Sequence, residues 1–323
     1  MKSNVNRDFF AKYTIEELSK KSDYWLNNQG RIAEPMYLKK GETNYQPISW
    51  SDAFSMISSK LNSLDSPNKA IFYTSGRTSN EAAFLYQAFV RMYGTNNLPD
   101  CSNMCHESSG KALEATIGIG KGTVTLEDFN HANTILVIGQ NPGTNHPRML
   151  TALRDAKLNG CKIIHINPLP ETGLVRFKHP QDYMKLNFSS TKLADIHIQI
   201  KIGGDAALFQ AINSQIITNN MINSEFIGTK TSGFVEYSNS LKDLNWERIC
   251  ADTGLQQNLI ERLAELVAKS KSIISCWAMG LTQHRNGVAA IQEVINLHLL
   301  GGHIGRKGAG LCPVRGHSNV QGN

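Results

Sequence analysis

The chain has 323 residues, 41% hydrophobic and 19% charged, an ordinary globular balance that is long enough for two α/β units or for one domain plus part of another. The formal net charge of +6 comes without a dense Lys/Arg block. It therefore suits a polyanionic small ligand and gives nucleic acid little support. No apolar run approaches the roughly 20 residues that span a bilayer, and the N-terminus lacks the apolar stretch of a signal peptide. The six cysteines are Cys101, Cys105, Cys161, Cys250, Cys276 and Cys312. Most sit in apolar runs and no Cys-x-x-Cys occurs, which predicts a reducing, cytoplasmic setting and no disulfide framework.

In chain order, residues 1–45 read as a polar extension with one short amphipathic stretch, "TIEELSKK". Residues 46–100 read as part of an α/β domain. Ser49 or Ser51 caps a helix with Ala53, Phe54, Ile57 and Leu61 on one face. "KAIFYTSG" has the pattern of a buried strand, and "SNEAAFLYQAFVRMYG" that of a helix closed by Gly94. Residues 101–323 read as a dinucleotide-binding-like α/β domain. "TILVIG", "CKIIHI", "IHIQIKI" and "SIISCW" have the pattern of strands, separated by helices such as "RMLTALRDAKLNG" and "VAAIQEVINLHLL". Strand-then-helix alternation predicts a doubly wound, mainly parallel sheet. The closing "GGHIGRKGAGLCPVRGHSNVQGN" is too poor in apolar side chains to fold by burying itself, so it reads as a disordered tail or a strip lying along a ligand.

Four strands end in loops of turn-type residues: Gly139 to Pro142, Asn167 to Glu171, Gly203 to Asp205, and Ala278 to Gln283. In an open parallel sheet these ends share one edge, where backbone N–H groups face an anion. No Gly-x-Gly-x-x-Gly occurs, so a nicotinamide site is unsupported. "CSNMCHESSG" sets Cys105 and His106 ahead of a helix in which Ser108 or Ser109 is the expected cap. A helix N-terminus lowers a thiol pKa, so Cys105 is a candidate soft metal ligand or nucleophile and His106 a candidate proton carrier. A structural cysteine beside an incidental histidine is the competing reading. Cys101 alone does not complete a zinc set. Arg315, between Val314 and Gly316, could clamp a carboxylate bidentately.

The segments "NMCHESSG", "ILVIGQNPGTNHPRML", "NGCKIIHINPLPETG", "WAMGLTQHRNG" and "NLHLLGGHIGRKGAGLCPVRGHSNVQG" together resemble the molybdopterin oxidoreductase family, in its formate-dehydrogenase-like branch. The resemblance runs from about residue 45 to the end. It implies molybdenum or tungsten held by bis-molybdopterin guanine dinucleotide. It implies that Cys105 is the metal's protein ligand, that His106 handles the substrate proton and that Arg315 orients a formate-like substrate. Cofactor contacts are implied for Gly139, Asn141, Pro142, His146, Asn167, Pro168, Glu171, Gly203, Gly204, Asp205, Met279, Gly280, Gln283 and His317. His317 replaces the family's common glutamine and Asn167 its frequent aspartate. Residues 174–193 resemble an insertion. The family's usual N-terminal segment, which often carries an iron–sulfur cluster, and its cofactor-covering C-terminal domain have no counterpart here. The expectation is therefore a fragment that is inactive alone, from a longer enzyme with a small-molecule substrate, a redox partner, no nucleic acid and no membrane span. The alternatives are a non-catalytic, nucleotide-binding remnant and a thiol-nucleophile enzyme built on Cys105 and His106.

Overall fold

A computed structural model describes residues 4–181 and 190–320 of the chain. It forms two compact units, Met1–Tyr73 with Phe84–Pro99, and Thr74–Ala83 with Asp100–Asn323. The expected insertion at 174–193 lies partly outside the described residues.

The first unit opens with short helices, Arg7–Lys12, Ile15–Ser19 and Asp23–Gln29. The second of these carries a complete capping box between Thr14 and Glu17. Helix α1 (Trp50–Asn62) starts at Ser49, whose hydroxyl accepts from the Asp52 N–H at 3.0 Å. Helix α2 (Asn80–Tyr93) follows, its first turn belonging to the second unit. The unit's buried cluster is small: Ala70, Phe72 and Val90, flanked by Leu61, Tyr86, Tyr93 and Leu98, with Val5 and Phe10 buried apart from it. "KAIFYTSG" does not form the expected ladder strand. Burial alternates along it, but apart from an isolated bridge at Thr74 the segment stays single, with Phe72 donating once to the Asn97 carbonyl. An extended segment becomes a strand only when a neighbour takes its backbone groups in series.

The second unit is built on a five-stranded, all-parallel sheet. Helix α3 (Cys101–Ile117) precedes it. Strand β1 (Thr134–Ile138) is followed by α4 (Met149–Leu158), β2 (Lys162–Ile166), β3 (Ile196–Ile198) and α5 (Asp205–Thr218). Then come α6 (Gln257–Ala268), β4 (Ile273–Trp277), α7 (Gly287–Gly301) and β5 (Gly310–Pro313). The sheet order is β3-β2-β1-β4-β5. Every residue of β1 and β4 is buried, because helices cover both faces of a doubly wound sheet. One face puts Leu136, Ile138, Ile164 and Trp277 against α5, α6 and α7. The other puts Ile135, Val137, Ile163 and Cys276 in one cluster with Leu150 and Leu153 of α4. The expected mixed α/β class with a parallel doubly wound sheet is the fold observed.

Two expectations are corrected. The glycine-rich C-terminal strip is not all tail, since Gly310–Pro313 pairs with β4 as an edge strand, from Ile274↔Gly310 to Trp277↔Pro313. Its glycines serve approach: at Gly308 (φ +72°) a methyl group would come within 2.4 Å of the His131 carbonyl. The helix expected after the Cys105–His106 motif is present but is not capped by Ser108 or Ser109: the stretch Cys101–Ile117 is two helical pieces joined at His106 (φ −133°, ψ 18°), and the longer one begins just after His106. Among the described residues no helix is long and apolar enough to cross a membrane.

Candidate functional site

The chain builds β1, β2 and β3 outward in one direction, then crosses back to place β4 and β5 on the other side of β1. The crevice beyond the carboxyl ends of β1 and β4 is therefore the topological switch point, the ligand position of this sheet class. The loops leaving those strands touch backbone to backbone there. Gly280 N–H donates to the Gly139 carbonyl at 3.0 Å. A methyl group on Gly280 would lie 2.4 Å from that oxygen, and Gly139 takes φ +54°. Both positions demand glycine.

Three strands of chain converge on this crevice. Gln283, from the loop after β4, donates through Nε2 to the Met104 and Cys105 carbonyls at 2.7 and 3.3 Å. Trp277 Nε1 at the end of β4 donates to Ser109 Oγ at 2.9 Å. The Ser109 hydroxyl then donates to His106 Nδ1 at 3.0 Å, which leaves His106 Nε2–H to donate to the Val314 carbonyl at 3.1 Å. Val314 immediately precedes Arg315. The kink in α3 is thus bolted to the end of β4 on one side and to the C-terminal strip on the other, and Cys105 and Arg315 flank the bolt.

The electrostatics differ from the sequence reading. Burial, with Cys101 nearby, raises the Cys105 thiol above its ordinary value instead of lowering it. Cys105 ends the short helical piece before the kink and stands directly ahead of the piece that begins after His106, and burial outweighs that helix N-terminus. Burial and the Arg315 charge push His106 down to about 4, so the ring is neutral at pH 7. Neither condition suits a thiol–imidazole nucleophile pair. Burial also pulls the Arg315 guanidinium down, and its Nε is buried with no protein partner.

The remaining predicted residues fall into three groups. His146, Gly139, Met279, Gly280 and Gln283 lie on the loops of the crevice. The His317 ring sits at 3.3 Å from Cys101 Sγ, which in turn accepts from Gly76 N–H at 2.8 Å. A second group forms one polar knot: Glu171 accepts from Asn141 Nδ2 at 2.6 Å and from Asn167 Nδ2 at 3.2 Å, with Pro142 and Pro168 in the adjoining turns. Gly203, Gly204 and Asp205 form the third, at the start of α5, where Gly204 packs against the Asp252 and Thr253 backbone and not against Cys105. Burial raises Asp205 to about 6, with His284 acting against the shift.

Sequence reasoning missed Gly76, Cys101, Gln140, Ser109 and Trp277. Trp277 and Ser109 read as core and cap, and nothing in a local pattern shows that an indole and a hydroxyl 168 positions apart will meet. Gln140 follows Gly139 directly, and its position at a strand end was the available signal.

The donors suit a pterin-held metal in kind: a soft sulfur at the mouth of a switch-point crevice, backbone-lined glycine loops, and the orphaned Arg315 Nε and Gln140 Oε1 awaiting polar partners. A doubly wound sheet with such a crevice belongs to the class of α/β folds whose ligands sit at the switch point. Comparison with known proteins narrows the class. The family described as Molybdopterin oxidoreductase matches residues 31–322, and the chain belongs to it. Uncharacterized oxidoreductase Rv2900c of Mycobacterium tuberculosis is 51% identical over 328 residues, covering 100% of this chain and 42% of that protein. Protein YdeP of Escherichia coli is 46% identical, covering 99% and 44%. Formate dehydrogenase H of Escherichia coli is 30% identical, covering 90% and 39%. The chain thus spans less than half the length of these relatives. Acetylene Hydratase from Pelobacter acetylenicus matches the fold with a TM-score of 0.70 at 20% identity, over 93% of this chain and 39% of that one. The family implies a molybdopterin cofactor carrying molybdenum or tungsten.

Proposed function

We propose that these residues form the substrate and cofactor face of a formate-dehydrogenase-like oxidoreductase that uses bis-molybdopterin guanine dinucleotide. The observation that carries the reading is the His106–Val314 bond. It joins the residue after Cys105 to the residue before Arg315, which supports a reading in which a sulfur donor and a guanidinium serve one crevice at the switch point. When bound, the cofactor supplies two-electron redox chemistry at its metal.

The chain's own residues divide the remaining work. Cys105 is the metal ligand. Arg315, its Nε unsatisfied inside the crevice, binds and orients a small oxyanion such as formate. His106, neutral and bonded at both nitrogens, holds Arg315 in register. Gly139 and Gly280 let backbone approach the pterin. The Asn141–Asn167–Glu171 knot and the Gly203–Gly204–Asp205 turn mark the two places where the guanine dinucleotides lie. The activity is assigned to a protein of the relatives' full length, with a redox partner taking the electrons; the 323 residues alone are inactive under this reading. The cysteines, all six unpaired, fit a reducing, cytoplasmic setting.

Expression in a molybdenum-replete host followed by metal analysis tests this. Molybdenum or tungsten should accompany a protein of full family length, and Cys105→Ala should abolish formate oxidation by an artificial electron acceptor. A purified, pterin-containing protein with neither metal sinks the reading.

A further inference from the structure

His106 has no free nitrogen. Nδ1 accepts from Ser109 and Nε2 donates to the Val314 carbonyl, so it reaches a substrate only by breaking the bolt that positions Arg315. A second histidine stands close enough for its charge to act on His106: His146, just past the short helix Pro142–Asn145 after β1. Its ring is held by Gln140. The Gln140 amide nitrogen lies 3.1 Å from His146 Nδ1 and 3.1 Å from Met149 Sδ. A thioether sulfur accepts and never donates, so the atom between it and the ring is the N–H₂ end of the amide. Gln140 therefore donates to Nδ1, and the neutral His146 carries its proton on Nε2. That nitrogen faces the Arg315–Gly316 turn: a methyl group on Gly316 would lie 3.7 Å from it. The support is rigid, because Gln140 is only 2% exposed and is fixed at the end of a fully buried strand.

Resting on the oxyanion reading above, we propose that His146 is the second donor to the anionic substrate: its Nε2–H points into the crevice beside Arg315, and Gln140 is the positioning residue that keeps the proton on that nitrogen. Two converging donors, one charged and one neutral, fix both the position and the plane of a carboxylate, which a single half-buried guanidinium with an unsatisfied Nε does not. The arrangement selects small planar ligands with two acceptor oxygens over ligands of equal size that lack them, and the Arg315 charge favours an anion among these.

The test uses the 323-residue chain with ¹⁵N-labelled histidine and formate as the probe. Long-range ¹H–¹⁵N spectra, assigned with His146→Gln, should show His146 as the Nε2–H tautomer, with a signal that moves on adding formate. Gln140→Leu should let the Nδ1–H tautomer appear. His146→Leu should weaken formate binding about tenfold or more, the usual effect of losing a hydrogen bond to a charged group, while His146→Gln, which keeps an N–H at the Nε2 position, should restore most of it. An Nδ1–H tautomer in the unmodified chain overturns the proposal. So does a His146 signal unmoved by formate, or unchanged formate binding in His146→Leu. Metal content enters none of these readouts, so absence of molybdenum would end the redox assignment while leaving the His146 result standing.

Discussion

The two units of this chain carry apolar residues at comparable helical spacing and bury them to very different degrees. In the second unit Leu208 and Ile212 of α5 and Ile260 of α6 are at most 1% exposed, packed in one cluster with the strand residues Leu136, Ile138 and Trp277. In the first unit Phe54 and Ile57, on the face expected to pack, are 62% and 55% exposed, and Trp50 beside them is 64% exposed. Helix α1 forms in either case, since Ser49 caps it and its residues favour it. The difference lies in the covering layer. A doubly wound sheet brings its own cover with each crossover, whereas among the described residues the small cluster of the first unit closes α1 and α2 on the extended segment 70–73. Amphipathic spacing states which face seeks burial and is silent on what provides it.

The sharpest way to break this comparison is in the sheet. Leu136→Ala should destabilise the second unit by about 4 kcal/mol, read as a lowered urea midpoint at constant slope. A loss below about 1 kcal/mol would mean that the layer is loosely packed and that the contrast with the first unit is false.

The next effect concerns a charge held inside that layered unit. Asp205 is buried at the start of α5 and titrates at about 6 in the folded state, against 3.8 for an ordinary aspartate. The folded chain thus binds the proton more tightly than the unfolded chain, and stability falls as pH rises through the window from about 4 to about 6. Asp205→Asn removes this loss. It should be more stable than the parent by about 2–3 kcal/mol at pH 7 and equal to it near pH 3. Parallel urea curves at the two pH values check this, and a variant gain that is the same at both would refute the buried-carboxyl account.

How far the sequence reveals the molecule follows from the range of the forces involved. Strands β1, β2 and β4 were legible because a buried parallel strand must be an unbroken apolar run, and "TILVI", "KIIHI" and "IISCW" are such runs. Strand β5 was not legible, because Gly310–Pro313 gains its strand character from the β4 edge and not from its own residues. At the site, Cys105, His106 and Arg315 were visible as residue types in suggestive settings. Their bolt was not, because the partners Ser109, Trp277 and Val314 come from the second half of α3, the end of β4 and the strip after β5. The expected lowering of the Cys105 thiol is not observed, because burial beside Cys101 governs the thiol even at the entrance to the helical piece that follows His106.

That bolt gives the third prediction. Ser109→Ala strips the acceptor from Trp277 Nε1 and the donor from His106 Nδ1, both deep in the second unit. An unsatisfied buried pair of this kind should cost about 1.5–2 kcal/mol, with a red-shifted or broadened Trp277 indole signal as the local witness. Ser109→Thr, which keeps the hydroxyl, should recover part of the loss. Full stability in Ser109→Ala would show that the chain of bonds does not form.

The smallest effect returns to the first unit. If the α1 face is as open as its exposure says, Phe54→Ser removes almost no buried area and leaves the Ser49 cap intact, so the change should stay within about 0.5 kcal/mol. The aromatic contact of Phe54 with Trp50, at 5.6 Å between ring centroids, is a pair on the surface and contributes little there. A measured loss of about 2 kcal/mol would instead mean that Phe54 is covered in solution. Its dependence on protein concentration would then decide the source: a loss that grows on concentrating the sample reports association through this face, and one that does not reports a packing partner within the chain. Either result would erase the difference between the two units, since the contrast rests on Leu136 being enclosed and Phe54 being open in the same molecule.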